Sequence, residues 1–189
     1  MTTVYLTPWR VDVTIRDSVI DAHGGRRPTP TAPLARAIAA ALDAAGAPSP
    51  ASIGLILSDD EELADLNVAH LGHDGPTDVL SFPLLPPEAF PPHSGGPVRR
   101  PAQEPAAPPF PGAPGRRTHL GDIVLSVERA QAQAEEGRGG QTGDVRWSAD
   151  DELRLLVTHG ALHICGWDHA EPDEEREMRA LEQRLLAGF

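Results

Sequence analysis

Three histidines close to the C-terminal end of the chain could bind a metal ion, in the stretch THGALHICGWDH. His159 and His163 are four residues apart, so on a helix they project side by side from one face. His169 can join them because Gly166 can end that helix in a left-handed conformation and turn the chain back. Three imidazoles with one open coordination position are typical of catalytic zinc. We therefore predict that these histidines hold one Zn²⁺ per chain.

Two other interpretations of the histidines stay open. They could be hydrogen-bonded core or helix-terminal residues, or they could belong to a closed structural site with Cys165 or Asp168 as the fourth ligand. Cys165 would point roughly 200° away from His163 around the helix, which favours a small core residue. Asp168 is better placed to orient a ligand imidazole, as metal-bound histidines usually require. Asp168 is our only further candidate for a residue that acts at the metal site, and the catalytic residues are otherwise unknown.

Gly160 stands where a zinc peptidase of similar spacing has its glutamate base. Zinc lowers the pKa of a bound water to about 7, so a hydroxide nucleophile does not need a strong protein base. Peptide hydrolysis also needs a proton delivered to the leaving amine, and glycine cannot carry it. A phosphodiester has a better leaving group and anionic oxygens that bind metal. The pattern therefore favours phosphodiester cleavage, and metallopeptidase is the least favoured activity.

Alternating strand and helix patterns surround this metal-binding stretch and predict an α/β (α+β) fold with a small sheet covered by helices. Strands are predicted at residues 11–15, 51–58, 77–82 and 119–126. Helices are predicted at residues 31–46, 58–70, 127–137, 148–165 and 172–186, with Thr31, Ser58 and Ser148 at the starts of the first, second and fourth. The region 31–58 fits a helix that connects two parallel strands.

The length of 189 residues predicts one domain spanning residues 1–189, interrupted by a proline-rich insertion. The insertion covers residues 83–118, of which 12 are proline. Proline lacks a backbone donor and biases the preceding residue away from helix. We expect an extended or disordered loop there, without packed elements.

The formal charge of −12 argues against a broad basic surface for nucleic acid, so any such role must depend on a local site. Cys165 is the one cysteine, which excludes an intramolecular disulfide framework. The sequence contains no apolar run long enough to span a bilayer, and its first residues do not show the pattern of a signal peptide. We therefore predict a cytoplasmic protein without a membrane partner.

The stretch HGALHICGWDH resembles the H-G-x-L-H-x-x-G-x-D-H signature of the YbeY family of bacterial endoribonucleases. The resemblance extends to PTDVLSF, to LGDIVLS and to Met178 and Glu182. It implies a mixed sheet of about four strands, a single-strand-specific zinc endoribonuclease, and the three histidines as zinc ligands. It also implies 16S rRNA 3′-end maturation and ribosome quality control, with single-stranded rRNA and the small ribosomal subunit with its proteins as partners. Thr77, Asp78 and Ser81 would lie near the cleft without an assigned role.

The chain departs from the family pattern at Leu71, where members often have an arginine that could contact phosphate. A second departure is the long insertion at 83–118, whose arginine pairs could supply the missing charge: Arg99, Arg100, Arg116 and Arg117. Leu71 keeps an alternative open, in which the protein is a zinc-stabilised ribosome assembly factor that does not cut RNA.

Overall fold

A five-stranded mixed sheet forms the centre of the protein, in the strand order β1-β2-β3-β5-β4. The computed structural model describes residues 1–93, 117–137 and 147–188. In that part of the chain the strands are β1 (Thr2–Leu6), β2 (Trp9–Ile15), β3 (Ala51–Ser58), β4 (Val79–Pro83) and β5 (Thr118–Ser126). The pairs β2–β3 and β3–β5 are parallel, and the pairs β1–β2 and β4–β5 are antiparallel. The predicted mixed α/β architecture is confirmed.

The strand that sequence reasoning missed is β1. Among the described residues β1 pairs only with β2, and its side chains are at most half-buried. It lacks the continuous apolar run that marks a central strand such as β3. An edge strand of this kind gives a weak sequence pattern, because one of its backbone edges and one of its faces are exposed to solvent. The described part of the chain therefore forms a sheet of five strands instead of about four.

Six α-helices of the described residues cover the sheet: α1 (Asp17–Ala22), α2 (Thr31–Ala44), α3 (Asp60–Leu71), α4 (Val127–Glu136), α5 (Ala149–Ile164) and α6 (Pro172–Leu186). The helix α5 is central, because it packs against β4 and β5 as well as against α2, α4 and α6. Its N-terminus has the predicted cap, in which Ser148 and Asp151 hydrogen-bond reciprocally. Among the described residues, none of the helices combines the length and apolar character that crossing a bilayer requires.

Two predicted helix caps are wrong. The helix α2 begins with Thr31 inside it, and Pro30 occupies the N-cap without a side-chain hydrogen bond. The helix α3 is capped by Asp59, whose carboxylate accepts a hydrogen bond from the backbone amide of Glu62 at 2.9 Å. For α3 the reason is that β3 continues through Ser58, which is fully buried, so the N-cap lies one residue further along the chain.

Part of the segment predicted as an insertion is described and packed. After Pro83 ends β4, residues Pro87–Ala89 form a 3₁₀ turn and Phe90 is 3% exposed within the main core. Residues 94–116 of the predicted insertion lie outside the described residues. The packed structure therefore extends about ten residues past the predicted start of the insertion.

Candidate metal centre

The three predicted histidines meet at the C-terminal end of α5. His159 and His163 lie one turn apart on the helix, and Gly166 follows with a φ of +80°, the left-handed conformation that turns the chain. His169 then returns, so that one ring nitrogen from each of the three histidines lies within 4.8 Å of the others. The rings of His159 and His163 are edge to face, with Nε2 atoms 3.0 Å apart. The structure thus brings together all three residues of the predicted site.

Acceptors on the outer side of two rings determine which ring nitrogens carry protons. His159 Nδ1 donates to Glu182 Oε1 at 2.7 Å, and His163 Nδ1 donates to the backbone carbonyl of Trp167 at 2.9 Å. In a neutral imidazole with a proton on Nδ1, Nε2 has a free lone pair. Two such lone pairs 3.0 Å apart repel each other unless a positive charge lies between them. The residues present therefore fit a metal ion.

Burial keeps His163 in the form that binds metal. Desolvation, together with the nearby rings of His159 and His169, lowers its pKa to about 4 from the usual 6.5. The Trp167 carbonyl acts in the opposite direction and does not offset burial. At neutral pH the ring is uncharged, and an uncharged imidazole is the metal-binding form.

The two residues considered as a fourth ligand occupy other positions. Cys165 is 1% exposed in the core, and burial raises the pKa of its thiol to about 12, which disfavours the thiolate that a metal needs. Asp168 accepts a hydrogen bond from the backbone amide of His169 at 2.8 Å, so its carboxylate shapes the turn instead of touching a ring. Within the described residues, the group that could hold a metal consists of the three histidines alone.

The segment after β4 supports the turn that carries His169. His93 stacks on Trp167 with ring centroids 4.1 Å apart and an interplanar angle of 10°, and its Nε2 donates to the carbonyl of Gly166 at 3.3 Å. A side chain at position 166 would meet Pro87, whose Cβ would be 3.1 Å from the added Cβ. Gly166 is therefore required both by its φ and by this close approach.

Gly160 faces the sheet and not the cleft. Its carbonyl accepts a hydrogen bond from Ser81 Oγ at 3.0 Å, which ties α5 to β4. A Cβ at this position would lie 2.9 Å from Ile123 Cγ2 and 3.3 Å from Val79 Cγ2. The fold leaves no room for a glutamate here, so the missing base is a consequence of how closely α5 packs on the sheet.

A pocket of about 740 Å³ adjoins the histidines, between α5 and α6. His159, His169 and Glu182 line one part of it, and Asp78 enters from the start of β4. Asp78 also accepts hydrogen bonds from the Val79 amide at 2.9 Å and from Gln133 Nε2 at 3.0 Å, while Thr77 contacts it at 3.4 Å. The histidine cluster is thus accessible to a ligand, as an open metal site requires.

Leu71 and two arginines of the described residues lie at different distances from the pocket, which bears on whether another arginine replaces the one that the family often has. Leu71 ends α3 with 57% of its surface exposed and does not line the pocket. Arg117 donates to the carbonyl of Pro8, between β1 and β2, on the far edge of the sheet from β4. Arg99, Arg100 and Arg116 lie outside the described residues. Arg179 on α6 does line the pocket.

The partner of His159 was missed by sequence reasoning, although a signal was present. Glu182 is 8% exposed and follows Met178 and Leu181 on the buried side of α6. Glutamate is rarely buried without a partner, so a carboxylate on this apolar stripe indicates a buried cation or donor. The identity of that donor depends on how α6 packs against α5, which the sequence does not give.

Replacing Glu182 with alanine should weaken metal binding about 10- to 100-fold, because the carboxylate that holds the tautomer of His159 is lost. Glu182→Gln retains an acceptor oxygen, so this variant should lose less metal affinity than Glu182→Ala. Competition with a chromophoric chelator measures the affinity directly. Asp173→Asn is the matched control, since Asp173 is a surface carboxylate on the same helix paired with Arg176. Equal affinities for Glu182→Ala and the wild type would show that this contact does not tune the site.

A family model and several relatives similar to this chain carry the same description. A family model described as Endoribonuclease YbeY matches residues 27–189. The Endoribonuclease YbeY of Thermobifida fusca is 42% identical over 159 residues, covering 82% of this chain and 83% of that protein. The Endoribonuclease YbeY of Salinispora tropica is 43% identical over 149 residues, covering 79% of this chain and 81% of that protein. A solution structure of a Thermotoga maritima protein aligns with a TM-score of 0.48 and 18% identity, covering 93% of this chain and 86% of that one.

Proposed function

Because the chain belongs to the YbeY endoribonuclease family, we propose that it is a zinc-dependent endoribonuclease that cuts single-stranded RNA. Its role would be the maturation of the 3′ end of 16S rRNA and ribosome quality control in the cytoplasm, with the small ribosomal subunit and its proteins as partners. Family membership supports RNA cleavage. The observation that carries the proposal is the convergence of three imidazole nitrogens, two with fixed tautomers, beside an open pocket.

Zinc is the metal that this donor set fits best, since His₃ with an open position is a common catalytic zinc site. When bound, zinc would polarise a phosphate oxygen and acidify a water molecule. His159, His163 and His169 would hold it, while Glu182 and the Trp167 carbonyl keep the first two rings oriented. The same site would give an acidic protein a local attraction for phosphate, since its net charge of −12 repels RNA elsewhere.

Metal removal tests the proposal. Purified wild-type protein, with its metal content measured, should cleave a single-stranded rRNA precursor and spare a duplex of the same sequence. A chelator should abolish cleavage, and zinc added back should restore it. Full activity of metal-free protein would contradict zinc dependence, and equal cleavage of duplex RNA would contradict the strand preference.

A ribosome assembly factor that does not cut RNA is the second candidate, motivated by the exposed Leu71 where the family often has an arginine. The same preparation discriminates the two. Co-sedimentation with the small subunit together with no cleavage by zinc-loaded protein would favour the assembly factor. Chelator-sensitive cleavage would exclude it.

A further inference from the structure

The pocket beside the histidines continues away from them along an apolar wall. Leu155 and Leu156 contribute this wall from α5, and Met178 and Leu186 contribute it from α6. Trp147, just before the start of α5, also lines the pocket. A cavity of about 740 Å³ whose lining combines apolar side chains with polar and charged ones has the size of a binding site for a small ligand group.

The indole of Trp147 is held in a fixed orientation. Its Nε1 donates to Glu152 Oε2 at 2.6 Å, and Glu152 on the first turns of α5 has no exposed surface. The side chain of Trp147 is half-buried and still lines the pocket. A tryptophan whose polar atom is satisfied by a buried acid presents an aromatic surface with little freedom left to lose on binding.

The charges around the pocket disfavour phosphate inside it. Asp78, Glu175 and Glu182 line it, and Arg179 is paired with Glu175 at 2.5 Å. Among the described residues, the arginine that lines the pocket already has a carboxylate partner, so the place that would attract a phosphate is the histidine end, where a metal cation would offset Glu182. The pocket has apolar and aromatic walls together with three carboxylates. The part of RNA that suits such a pocket is the uncharged base.

We propose that this pocket binds one unpaired nucleobase of the RNA substrate, stacked on Trp147, while the neighbouring phosphate lies at the histidine cluster. Bases of single strands can be splayed out and stacked on aromatic side chains, whereas paired bases are not available. The pocket would thus give the enzyme its requirement for single-stranded RNA. This inference rests on the proposed nuclease function, because it takes its ligand from that substrate.

Binding measured without cleavage tests the pocket. A short fluorescent single-stranded oligoadenylate is titrated with full-length protein in chelator, and binding is followed by anisotropy. Trp147→Ala should weaken binding about 5- to 150-fold, the range for loss of one stacked base. Trp147→Phe should recover most of the affinity. Tyr5→Ala is the matched control, because Tyr5 is an aromatic residue 67% exposed on the opposite edge strand.

A substrate change completes the test. An abasic oligomer of equal length and charge should bind wild type and Trp147→Ala with equal, weak affinity. In cleavage assays with zinc, Trp147→Ala should raise KM with little change in kcat. If Trp147→Ala binds and cleaves like the wild type, the base pocket is wrong while the nuclease stands. If zinc-loaded wild type cleaves no RNA, the proposed function fails, whatever the binding data show.

Discussion

His163→Ala should abolish stoichiometric metal binding and lower RNA cleavage about 10³-fold or more. The substitution leaves His159 and His169, two ligands where the open site needs three. A metal ion acting on a phosphate oxygen contributes several kcal/mol to the transition state, and each 1.4 kcal/mol is a factor of ten in rate. Loss of that contribution sets the expected size of the effect.

Three measurements on one preparation check this result. Metal content by plasma mass spectrometry gives the stoichiometry, and cleavage of single-stranded rRNA precursor gives the rate. Thermal unfolding with and without added zinc gives a third, since a ligand that binds only the folded state raises the Tm. The wild type should show the zinc-dependent rise and His163→Ala should not.

His23→Ala is the matched control for this experiment. His23 is half-buried and contacts the Val19 carbonyl and Gln131, outside the cluster. This variant should keep its metal and its cleavage rate. A His163→Ala protein that is free of metal and still cuts RNA at the wild-type rate would remove the metal from the mechanism.

The histidine cluster could be predicted from the sequence because its geometry is local. A spacing of four residues places His159 and His163 on one face of any helix, and Gly166 marks where that helix must end. Helix α6 was predicted at residues 172–186, the same bounds that the structure gives. Its apolar stripe and N-terminal proline are also local features.

The groups around the cluster could not be predicted because they come from distant parts of the chain. Glu182 reaches His159 only because α6 packs on α5, and His93 reaches Trp167 from the segment after β4. The pairing of Trp147 with Glu152 depends on which way the chain enters α5. No periodicity in one segment encodes a contact of this kind, since it is set by tertiary packing.

Gly160 shows how a local difference can have a tertiary cause. From the sequence, the glycine marks the absence of a peptidase base. In the structure the same position is where α5 approaches β4 and β5, with Ser81 bonded to its carbonyl and Ile123 under its Cα. The base is therefore absent because the helix packs against the sheet at this point, and the cleft lies on another face of α5.

Gly160→Glu should destabilise the protein by about 3–5 kcal/mol and give no peptidase activity, because the carboxylate would be buried against the sheet without a partner. In a chain of this size each kcal/mol lowers the Tm by about 2–4 °C, so we expect a fall of about 10 °C or failure to fold. Gly160→Ala should cost about 1 kcal/mol, since overpacking against Ile123 is partly offset by the helix preference of alanine.

Substitutions of Gly188 are the matched controls, because Gly188 is exposed and the nearest atom to an added Cβ is 3.4 Å away. Gly188→Glu and Gly188→Ala add the same groups in the open and should leave the Tm within about 2 °C of the wild type. Thermal unfolding by circular dichroism and a casein assay with and without chelator supply the two readouts. A Gly160→Glu protein with wild-type Tm and chelator-sensitive casein cleavage would mean that position 160 faces the metal after all. The packing of α5 on the sheet would then have to be revised.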